Sequence, residues 1–366
     1  MEVVWVANTN NPIKNSSGVL KISEDGNLEL SDGKSTIFWS SNVSNQAHNN
    51  SVAKLQDTGN LVLLSGVSGM IIWQSFEHRK NSLLLGTTMS INMSIIDEDH
   101  MNEYGYTMLR SWKSASDPSD GRFRISANVL APVGELVTWD GDKPYWRSGT
   151  FGIFNTSRQA FPALELIYNS IENTYKILYF MKNKSFVGYH LLNDDGNLFH
   201  RTWDDSSRKW NTTWQSIETK CDIYSNCGAF GLCNPKDSPI CSCLTGFEPK
   251  IIDEWSLGNW TSGCVRRTSL QCGNRGGKED GFSRLIHVKL PDNADFFLVD
   301  SQAECMRRCL GNCSCLAYAN PKGPISMVWN ESLTDMQQFS IDGAEVFIRL
   351  AHSELGDHLF LALLLL

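Results

Sequence analysis

Cysteine is absent from the first 220 residues of this 366-residue chain, because all eleven cysteines lie from Cys221 onward. The front part must therefore fold without disulfides. Dense cysteines in a short span are typical of small domains that bury too little apolar surface, and their bridges persist only in an oxidising compartment. The distribution predicts a secreted chain with a disulfide-bonded rear part, and the length predicts at least two or three domains.

Long apolar runs are also missing. The start, MEVVWVANTN, has no basic stretch followed by an apolar core, so no signal peptide is recognisable. The end, LFLALLLL, is far shorter than the roughly 20 apolar residues that span a bilayer. We interpret both ends as cut, the first inside a domain and the last inside a membrane segment. For the tail, a frayed apolar terminus and an incomplete gene model are the alternatives.

Neither sign of charge dominates the sequence. Forty acidic and thirty-two basic residues give a formal net charge of -8, and no block of like charges stands out. Nucleic-acid binding and polybasic membrane attachment both require a basic patch that this sequence lacks. We therefore expect no nucleic-acid partner.

Signatures of catalysis are missing as well. The chain has no kinase glycine loop, no HRD, no DFG, no HExxH and no nucleophile elbow. The glycine-rich GNRGGKEDG at 273–281 lacks the Lys-Ser/Thr of a phosphate-binding loop. The acid pairs at 194–195 and 204–205 are adjacent turn residues that do not face one cleft, unlike a glycosidase pair. We expect no catalytic residue, no metal and no cofactor.

An internal repeat is the main positive feature of the front part. Residues 24–33 read EDGNLELSDG and residues 57–66 read DTGNLVLLSG, while Trp5, Trp39 and Trp73 recur every 34 positions. A fixed period of this length indicates a supersecondary unit whose apolar face is buried when copies pack together. The Gly-Asn turns before alternating apolar runs predict short strands, and we predict one core shared by the three tryptophans.

The same order returns later in a more degenerate form. Gly134-Glu135-Leu136 precedes Trp146, and Gly196-Asn197-Leu198 precedes Trp210. The recurring Trp-x-Ser triplets are at 39–41, 73–75 and 146–148. A second repeat-built β domain is the economical interpretation.

Several segments of the chain carry a family resemblance: VVWVANTNNPI, the two GNL copies, IIWQSFEH, RSWKSASDPSDGRFR and YWRSGTF. In their order they resemble plant S-locus glycoproteins and the ectodomains of G-type lectin S-receptor-like serine/threonine-protein kinases. The resemblance implies a mainly β fold, with two β-prism (bulb-lectin-like) domains followed by disulfide-rich EGF-like and PAN/apple modules. The implied boundaries are 1–79 for an N-terminally truncated bulb-type lectin domain, 80–216 for the S-locus glycoprotein domain, 217–265 for the EGF-like module, 266–352 for the PAN/apple module and 353–366 for a truncated juxtamembrane segment.

Bulb-type lectins bind mannose through a Gln-x-Asp-x-Asn-x-Val-x-Tyr pattern, in which alternate side chains share a strand face. The residues retained here are Gln56, Asn60 and Val62 in the second copy and Asp25 and Asn27 in the first. Each lost polar partner costs on the order of 1 to 3 kcal/mol, comparable to the binding margin of a weak lectin. Two interpretations stay open, a degenerate mannose site and asparagines that only form turns.

The first six cysteines surround CGAFGLC and CSCLTGF, which resemble an EGF-like module. Sequence alone permits fifteen pairings, and a zinc site is disfavoured because zinc sites use two close pairs. The pairing implied by the resemblance is Cys221–Cys233, Cys227–Cys241 and Cys243–Cys264.

A short helix is predicted in SQAECMRRCLGNCSC. Ser301 and Glu304 form a capping-box pattern, Cys305 and Cys309 lie on one helix face, and Gly311 suits the end.

This rear segment resembles a PAN/apple module, with one departure. Ser326 stands where the family usually has cysteine. The implied bridges are Cys272–Cys313 and Cys309–Cys315, which leave Cys305 as a free thiol able to couple two chains. Loss of a native bridge from a small secreted domain typically costs about 2 to 5 kcal/mol, so we expect a weakened module.

Asn-x-Ser/Thr sequons are frequent along the whole chain, and their number favours a glycosylated, secreted surface. The ten acceptor asparagines are Asn15, Asn42, Asn49, Asn92, Asn155, Asn183, Asn211, Asn259, Asn312 and Asn330.

Three functions fit these observations. The first is an extracellular recognition module of a plant receptor or secreted glycoprotein, binding a mannose-type carbohydrate or a protein ligand. The resemblance extends this role to pollen recognition, small cysteine-rich ligands and receptor homodimers at the outer face of the plasma membrane. The second is a fragment of a receptor Ser/Thr kinase whose kinase and membrane helix lie outside this chain. The third is an inert truncated product that does not fold.

Overall fold

The computed structural model describes most of the chain, and the statements below concern these parts only. The described residues are 3–43, 50–78, 81–92, 107–128, 135–149, 164–169, 171, 174–179, 187–272, 279–299, 301–320 and 325–355. The predicted sequons at Asn49, Asn155 and Asn183, and most of the segment 353–366, lie outside them. Among the described residues, no helix combines the length and the apolar character that crossing a bilayer requires.

Two compact units make up the chain. The first contains residues 1–127, 137–145 and 161–216, and the second contains 128–136, 146–160 and 217–366. Strands dominate both units, so the prediction of a mainly β fold is confirmed.

Two three-stranded antiparallel sheets open the first unit, one for each copy of the repeat. They are formed by β1 (Val19–Ile22), β2 (Leu28–Ser31) and β3 (Ile37–Ser40), and by β4 (Val52–Leu55), β5 (Leu61–Leu64) and β6 (Ile71–Gln74). In each sheet the strand after the Gly-Asn turn is central, which makes it the most buried of the three. The alternating apolar residues after each turn therefore face a common core.

Three tryptophans meet in that core. The ring centroids of Trp5 and Trp39 are 5.8 Å apart, those of Trp5 and Trp73 are 5.5 Å apart, and those of Trp39 and Trp73 are 5.4 Å apart, all edge-to-face. Leu28 and Leu63 pack against them. Aromatic pairs prefer this edge-to-face arrangement, so the predicted shared core is confirmed.

We predict that Trp73→Ala destabilises the first unit by about 3 to 5 kcal/mol, because it removes a buried ring that contacts both other tryptophans. Urea unfolding followed by tryptophan fluorescence measures the change. Val67→Ala in the same repeat copy is the control, since Val67 is 73% exposed and its truncation removes little packing. Equal stability of the two variants would contradict the shared core.

Eleven further strands are described between residues 82 and 215, and they form three sheets. Their bounds are β7 (Ser82–Leu84), β8 (Thr88–Asn92), β9 (Thr107–Ser114), β10 (Asp117–Asn128), β11 (Glu135–Asp140), β12 (Lys143–Arg147), β13 (Leu164–Asn169), β14 (Thr174–Tyr179), β15 (Gly188–Leu192), β16 (Leu198–Asp204) and β17 (Lys209–Gln215). The sheet orders are β12-β11-β10-β9, β13-β14-β8 and β17-β16-β15-β7. Strands β11 and β16 follow the two degenerate repeat segments, and a second repeat-built domain stays a prediction.

Buried histidines give part of this second β structure a polar core. The Tyr179 hydroxyl lies 3.1 Å from Nε2 of His200, and the ring of His190 packs 4.8 Å from each of the other two rings. Burial lowers the pKa of His200 to about 4, and burial together with His200 lowers the pKa of His190 well below its usual value. Both imidazoles are therefore neutral at physiological pH.

Short strands and two helices form the cysteine-rich rear part. Their bounds are β18 (Gly231–Cys233), β19 (Cys241–Cys243), β20 (Phe247–Pro249), α1 (Ile252–Ser256), β21 (Cys264–Arg266), β22 (Gly281–Lys289), β23 (Asp295–Leu298), α2 (Gln302–Gly311), β24 (Ala317–Ala319), β25 (Ile325–Trp329), β26 (Met336–Gln338) and β27 (Ala344–Leu350). Eight of these strands share one sheet in the order β19-β18-β26-β22-β27-β24-β25-β23. Because β18 pairs with β26, the ranges 217–265 and 266–352 are hydrogen-bonded together.

Helix α2 begins after the predicted cap residue and ends at Gly311, but the capping box is only half formed, because the Glu304 carboxylate pairs with Arg307 and Arg308. The Ser301 hydroxyl accepts a hydrogen bond from the N–H of Glu304 at 3.2 Å. At the other end, Nη1 of Arg349 donates to the carbonyl oxygens of Cys309 and Asn312 at 3.0 and 2.9 Å. A buried ion pair of 3.0 Å between Arg349 and Asp280 holds that guanidinium in place. The helix end is thereby satisfied by a side chain from β27.

The cysteine framework matches the pairing that the resemblance implies. Its bridges are Cys221–Cys233, Cys227–Cys241, Cys243–Cys264, Cys272–Cys313 and Cys309–Cys315. Cys305 has no disulfide partner and is fully buried. Burial raises the pKa of its thiol, and a hydrogen bond from Ser326 opposes that shift only in part. Coupling of two chains through Cys305 would therefore require the module to open.

We predict that Ser326→Cys forms a sixth disulfide with Cys305, because Ser326 stands where the resemblance implies a cysteine and Cys305 is a buried thiol without a disulfide partner. The bridge should stabilise the second unit by about 2 to 4 kcal/mol. Thiol titration of the denatured, unreduced protein should give no thiol for this variant, against one per chain for the natural sequence. Ser326→Ala, the control, should keep one thiol, and two thiols in Ser326→Cys would contradict the prediction.

Candidate recognition site

The repeated Gly-Asn segments form the same tight turn three times in the first unit. In the turns at 23–27, 56–60 and 193–197, the first residue donates its N–H to the carbonyl oxygen of the asparagine at 2.8 to 3.1 Å. The glycine before each asparagine has a φ between 83 and 85°. Only glycine adopts this conformation without strain, which explains why the pair Gly-Asn recurs.

A serine hydroxyl fixes the residue after each turn. The hydroxyl of Ser41 accepts from the N–H of Leu28 at 3.0 Å and donates to Oδ1 of Asn27 at 3.1 Å. The matching bonds in the second copy join Ser75 to Leu61 and Asn60 at 3.0 and 3.1 Å. The Trp-x-Ser triplet thus places a tryptophan in the core and a serine against the turn.

The third turn uses a triplet that the sequence analysis missed. Ser216, not a residue near Trp210, donates to Oδ1 of Asn197 and accepts from the N–H of Leu198, both at 2.9 Å. The triplet is Trp214-Gln215-Ser216, and a complete search for Trp-x-Ser would have found it. A fourth serine, Ser148, accepts from Leu136 at 2.9 Å in the second unit.

The second-copy residues of the predicted mannose pattern are largely buried or hydrogen-bonded within the protein. Nδ2 of Asn60 donates to Oε1 of Gln74 at 2.8 Å, and its Oδ1 also accepts from the N–H of Phe76 at 3.2 Å. Val62 is fully buried. Gln56 is half-buried at the start of the turn, where its backbone closes the hairpin.

The first-copy residues are arranged similarly. Oδ1 of Asn27 accepts from the N–H of Val43 at 2.7 Å, and its Nδ2 donates to Asp25 at 3.0 Å. Hydrogen bonds from Ser23 and Asn27 lower the pKa of Asp25, so its carboxylate is ionised and already engaged. Both asparagines therefore act as turn braces in this structure.

A buried ionic cluster in the second unit is a feature that sequence reasoning did not find. Arg147 donates to Glu135 and Asp335, both at 3.1 Å, and to the carbonyl oxygen of Leu290 at 2.7 Å. Nζ of Lys289 lies 2.7 Å from the same Asp335 carboxylate. The side chains of these four charged residues are each at most 6% exposed.

The cluster joins distant parts of the sequence within the second unit. Tyr224 donates its hydroxyl proton to Asp292 at 2.7 Å, and Asp292 lies 3.9 Å from Arg147. Burial raises the pKa of Glu135, and Arg147 opposes that shift. Burial alone lowers the pKa of Arg147, but the carboxylates of Glu135, Asp335 and Asp292 raise it further, so the guanidinium stays charged.

We predict that Arg147→Met destabilises the second unit by about 3 to 5 kcal/mol, because it leaves the buried Glu135 carboxylate without its cation and Asp335 with Lys289 alone. Chemical denaturation of the full chain measures the loss. Arg284→Met is the matched control, since it breaks the exposed Arg284–Glu345 pair and should cost no more than about 1 kcal/mol. Similar losses of unfolding free energy in both variants would contradict the prediction that the buried cluster stabilises the protein more than an exposed ion pair.

Known protein domains resemble this chain along three ranges. Residues 2–120 match the D-mannose binding lectin family, 144–251 match the S-locus glycoprotein domain and 272–336 match the PAN-like domain. These are domain types of lectins and receptor ectodomains.

Two similar proteins are the G-type lectin S-receptor-like serine/threonine-protein kinases SD1-13 and SD1-29 of Arabidopsis thaliana. SD1-13 is 40% identical over 369 residues, which are 96% of this chain and 43% of the relative. SD1-29 is 38% identical over 369 residues, 97% of this chain and 44% of the relative. Over nearly its whole length the chain is similar to G-type lectin S-receptor-like kinases, and it spans less than half the length of these relatives. The matched domain types are those of the ectodomain, not of a kinase.

Proposed function

We propose that this chain is the extracellular recognition part of a plant lectin-type receptor, and that its ligand is a protein or peptide rather than mannose bound at the repeat turns. The observation that carries the proposal is the engagement of both turn asparagines inside the fold. A mannose site needs free amide and carboxylate groups for the sugar hydroxyls. Asn27 and Asn60 instead bond to serine hydroxyls, backbone N–H groups and neighbouring side chains.

The surface of the two repeat sheets supports a protein ligand. Leu20 on β1 and Leu55 on β4 are 60% and 68% exposed, and each lies on an edge strand of its sheet. Ile37 and Ile71 are exposed on the opposite edge strands. Exposed apolar side chains on edge strands suit a polypeptide, which can add main-chain hydrogen bonds, better than a sugar.

The cellular setting follows from the same family. Five disulfides favour an oxidising, extracellular environment. Similarity to receptor kinases supports a place at the outer face of the plasma membrane. A small cysteine-rich ligand, a role in recognition of pollen and receptor homodimers are the finer features that the family suggests. Catalysis by a Ser/Thr kinase is assigned to the rest of such a receptor, and this chain supplies ligand recognition.

Mannose-affinity chromatography of the secreted full chain tests the proposal. We expect that the protein is not retained on the column in a way that free mannose can compete. We also expect Asn60→Ala to lower the free energy of unfolding by about 1 to 3 kcal/mol, because it leaves buried hydroxyl and N–H groups unpaired. Asn60→Asp keeps the acceptor oxygen and should fall between the natural protein and Asn60→Ala.

Asp57→Ala, on the exposed part of the same turn, is the control and should change stability by less than about 0.5 kcal/mol. Mannose-competed retention that Asn60→Ala removes from a folded protein would overturn the proposal in favour of a live sugar site.

A further inference from the structure

Two of the predicted glycan acceptors, 18 positions apart in sequence, are in direct contact. Nδ2 of Asn312, the residue that follows helix α2, donates to Oδ1 of Asn330 at 3.3 Å. Nδ2 of Asn330, the residue after β25, donates in turn to Asp295 at 2.6 Å. The three side chains form one chain of hydrogen bonds on the surface of the PAN-like range.

This contact leaves room for one glycan. An N-linked glycan is bonded to Nδ2, and the oxygen and nitrogen of one amide are about 2.3 Å apart. With the 3.3 Å contact, the two Nδ2 atoms are therefore at most about 5.6 Å apart. Two branched glycans that start this close, each from a ring of comparable width, would overlap.

The two asparagines differ in how firmly their amides are held. Asn312 has an exposed side chain on a fixed backbone, since its N–H donates to the end of α2 and its carbonyl oxygen accepts from Arg349 at 2.9 Å. Its Nδ2 donates one long bond to the neutral amide oxygen of Asn330, and its Oδ1 accepts from the N–H of Ser314 at 3.1 Å. Asn330 is half-buried, and its Nδ2 makes a short bond to a carboxylate, which is roughly twice as strong as a neutral bond.

We infer that this pair of sequons accepts a single glycan, on Asn312, and that Asn330 stays unmodified as the amide that anchors it to Asp295. In the transfer, a bond forms between Nδ2 of Asn312 and C1 of the sugar. The bond from C1 to the diphosphate of a lipid-linked oligosaccharide donor breaks, and Nδ2 loses one proton. The second Nδ2 hydrogen remains and donates to Asn330 once the module has folded.

The contact between Asn312 and Asn330 forms only when the module folds, after the glycans have been transferred. Glycans are added to the emerging chain, so exclusion is imposed when the module closes. A chain modified at both positions cannot form the contact between Asn312, Asn330 and Asp295 without overlap of the two glycans. Such molecules are expected to be lost before secretion, because their module stays open.

Site-resolved mass spectrometry of the secreted full chain, after enzymatic deglycosylation in heavy-oxygen water, tests the inference. We expect the isotope mark on Asn312 and none on Asn330. Ser314→Ala and Ser332→Ala are a matched pair, since each removes one acceptor hydroxyl and leaves both asparagines in place. Ser314→Ala should remove one glycan per chain, and Ser332→Ala should remove none.

Thermal unfolding of both variants shows that they are folded, and the exposed sequon at Asn259 serves as a positive control for glycan transfer. Secreted molecules that carry glycans on both Asn312 and Asn330 would overturn the inference. A glycan on Asn330 alone, or no glycan on either residue while Asn259 is modified, would overturn it as well.

Discussion

The hairpins of the front part depend on one arrangement, a serine hydroxyl held between a strand N–H and an asparagine oxygen. It appears with Ser41, Ser75 and Ser216, each two residues after a tryptophan. A buried N–H or amide without a partner costs about 1 to 3 kcal/mol, so the arrangement must be complete for the turn to pack. It therefore links the turn to the core, because the serine and the tryptophan share one strand.

This constraint explains how a lectin fold can lose its sugar chemistry and keep its shape. The mannose pattern and the turn brace require the same asparagine. In the brace, the Oδ1 atom of Asn60 accepts hydrogen bonds from Ser75 and from the N–H of Phe76. Loss of the aspartate and tyrosine partners from the second copy leaves the brace intact. Retention of Asn60 and Val62 is then explained by packing, and the proposed protein ligand would bind surfaces that the fold leaves exposed.

The rear part solves the same stability problem with covalent and ionic links. Besides an apolar core that includes Val288, Trp329 and Val346, five disulfides limit the unfolded chain and two buried arginines bind segments that are far apart in sequence. Arg349 satisfies the end of α2, and Arg147 joins the carboxylates of Glu135 and Asp335. The missing bridge at Ser326 leaves Cys305 as a buried thiol within an otherwise closed module.

Sequence alone determined the mainly β fold, the shared tryptophan core and the start of α2, because these follow from local patterns: a fixed repeat, turn residues and a cap. The family resemblance added the cysteine pairing, which spacing leaves open. Only the tertiary structure decided the engagement of Asn27 and Asn60, the ionic cluster around Arg147 and the contact between Asn312 and Asn330. The physical reason is that each joins side chains distant in sequence, whose approach is set by packing and has no local signal.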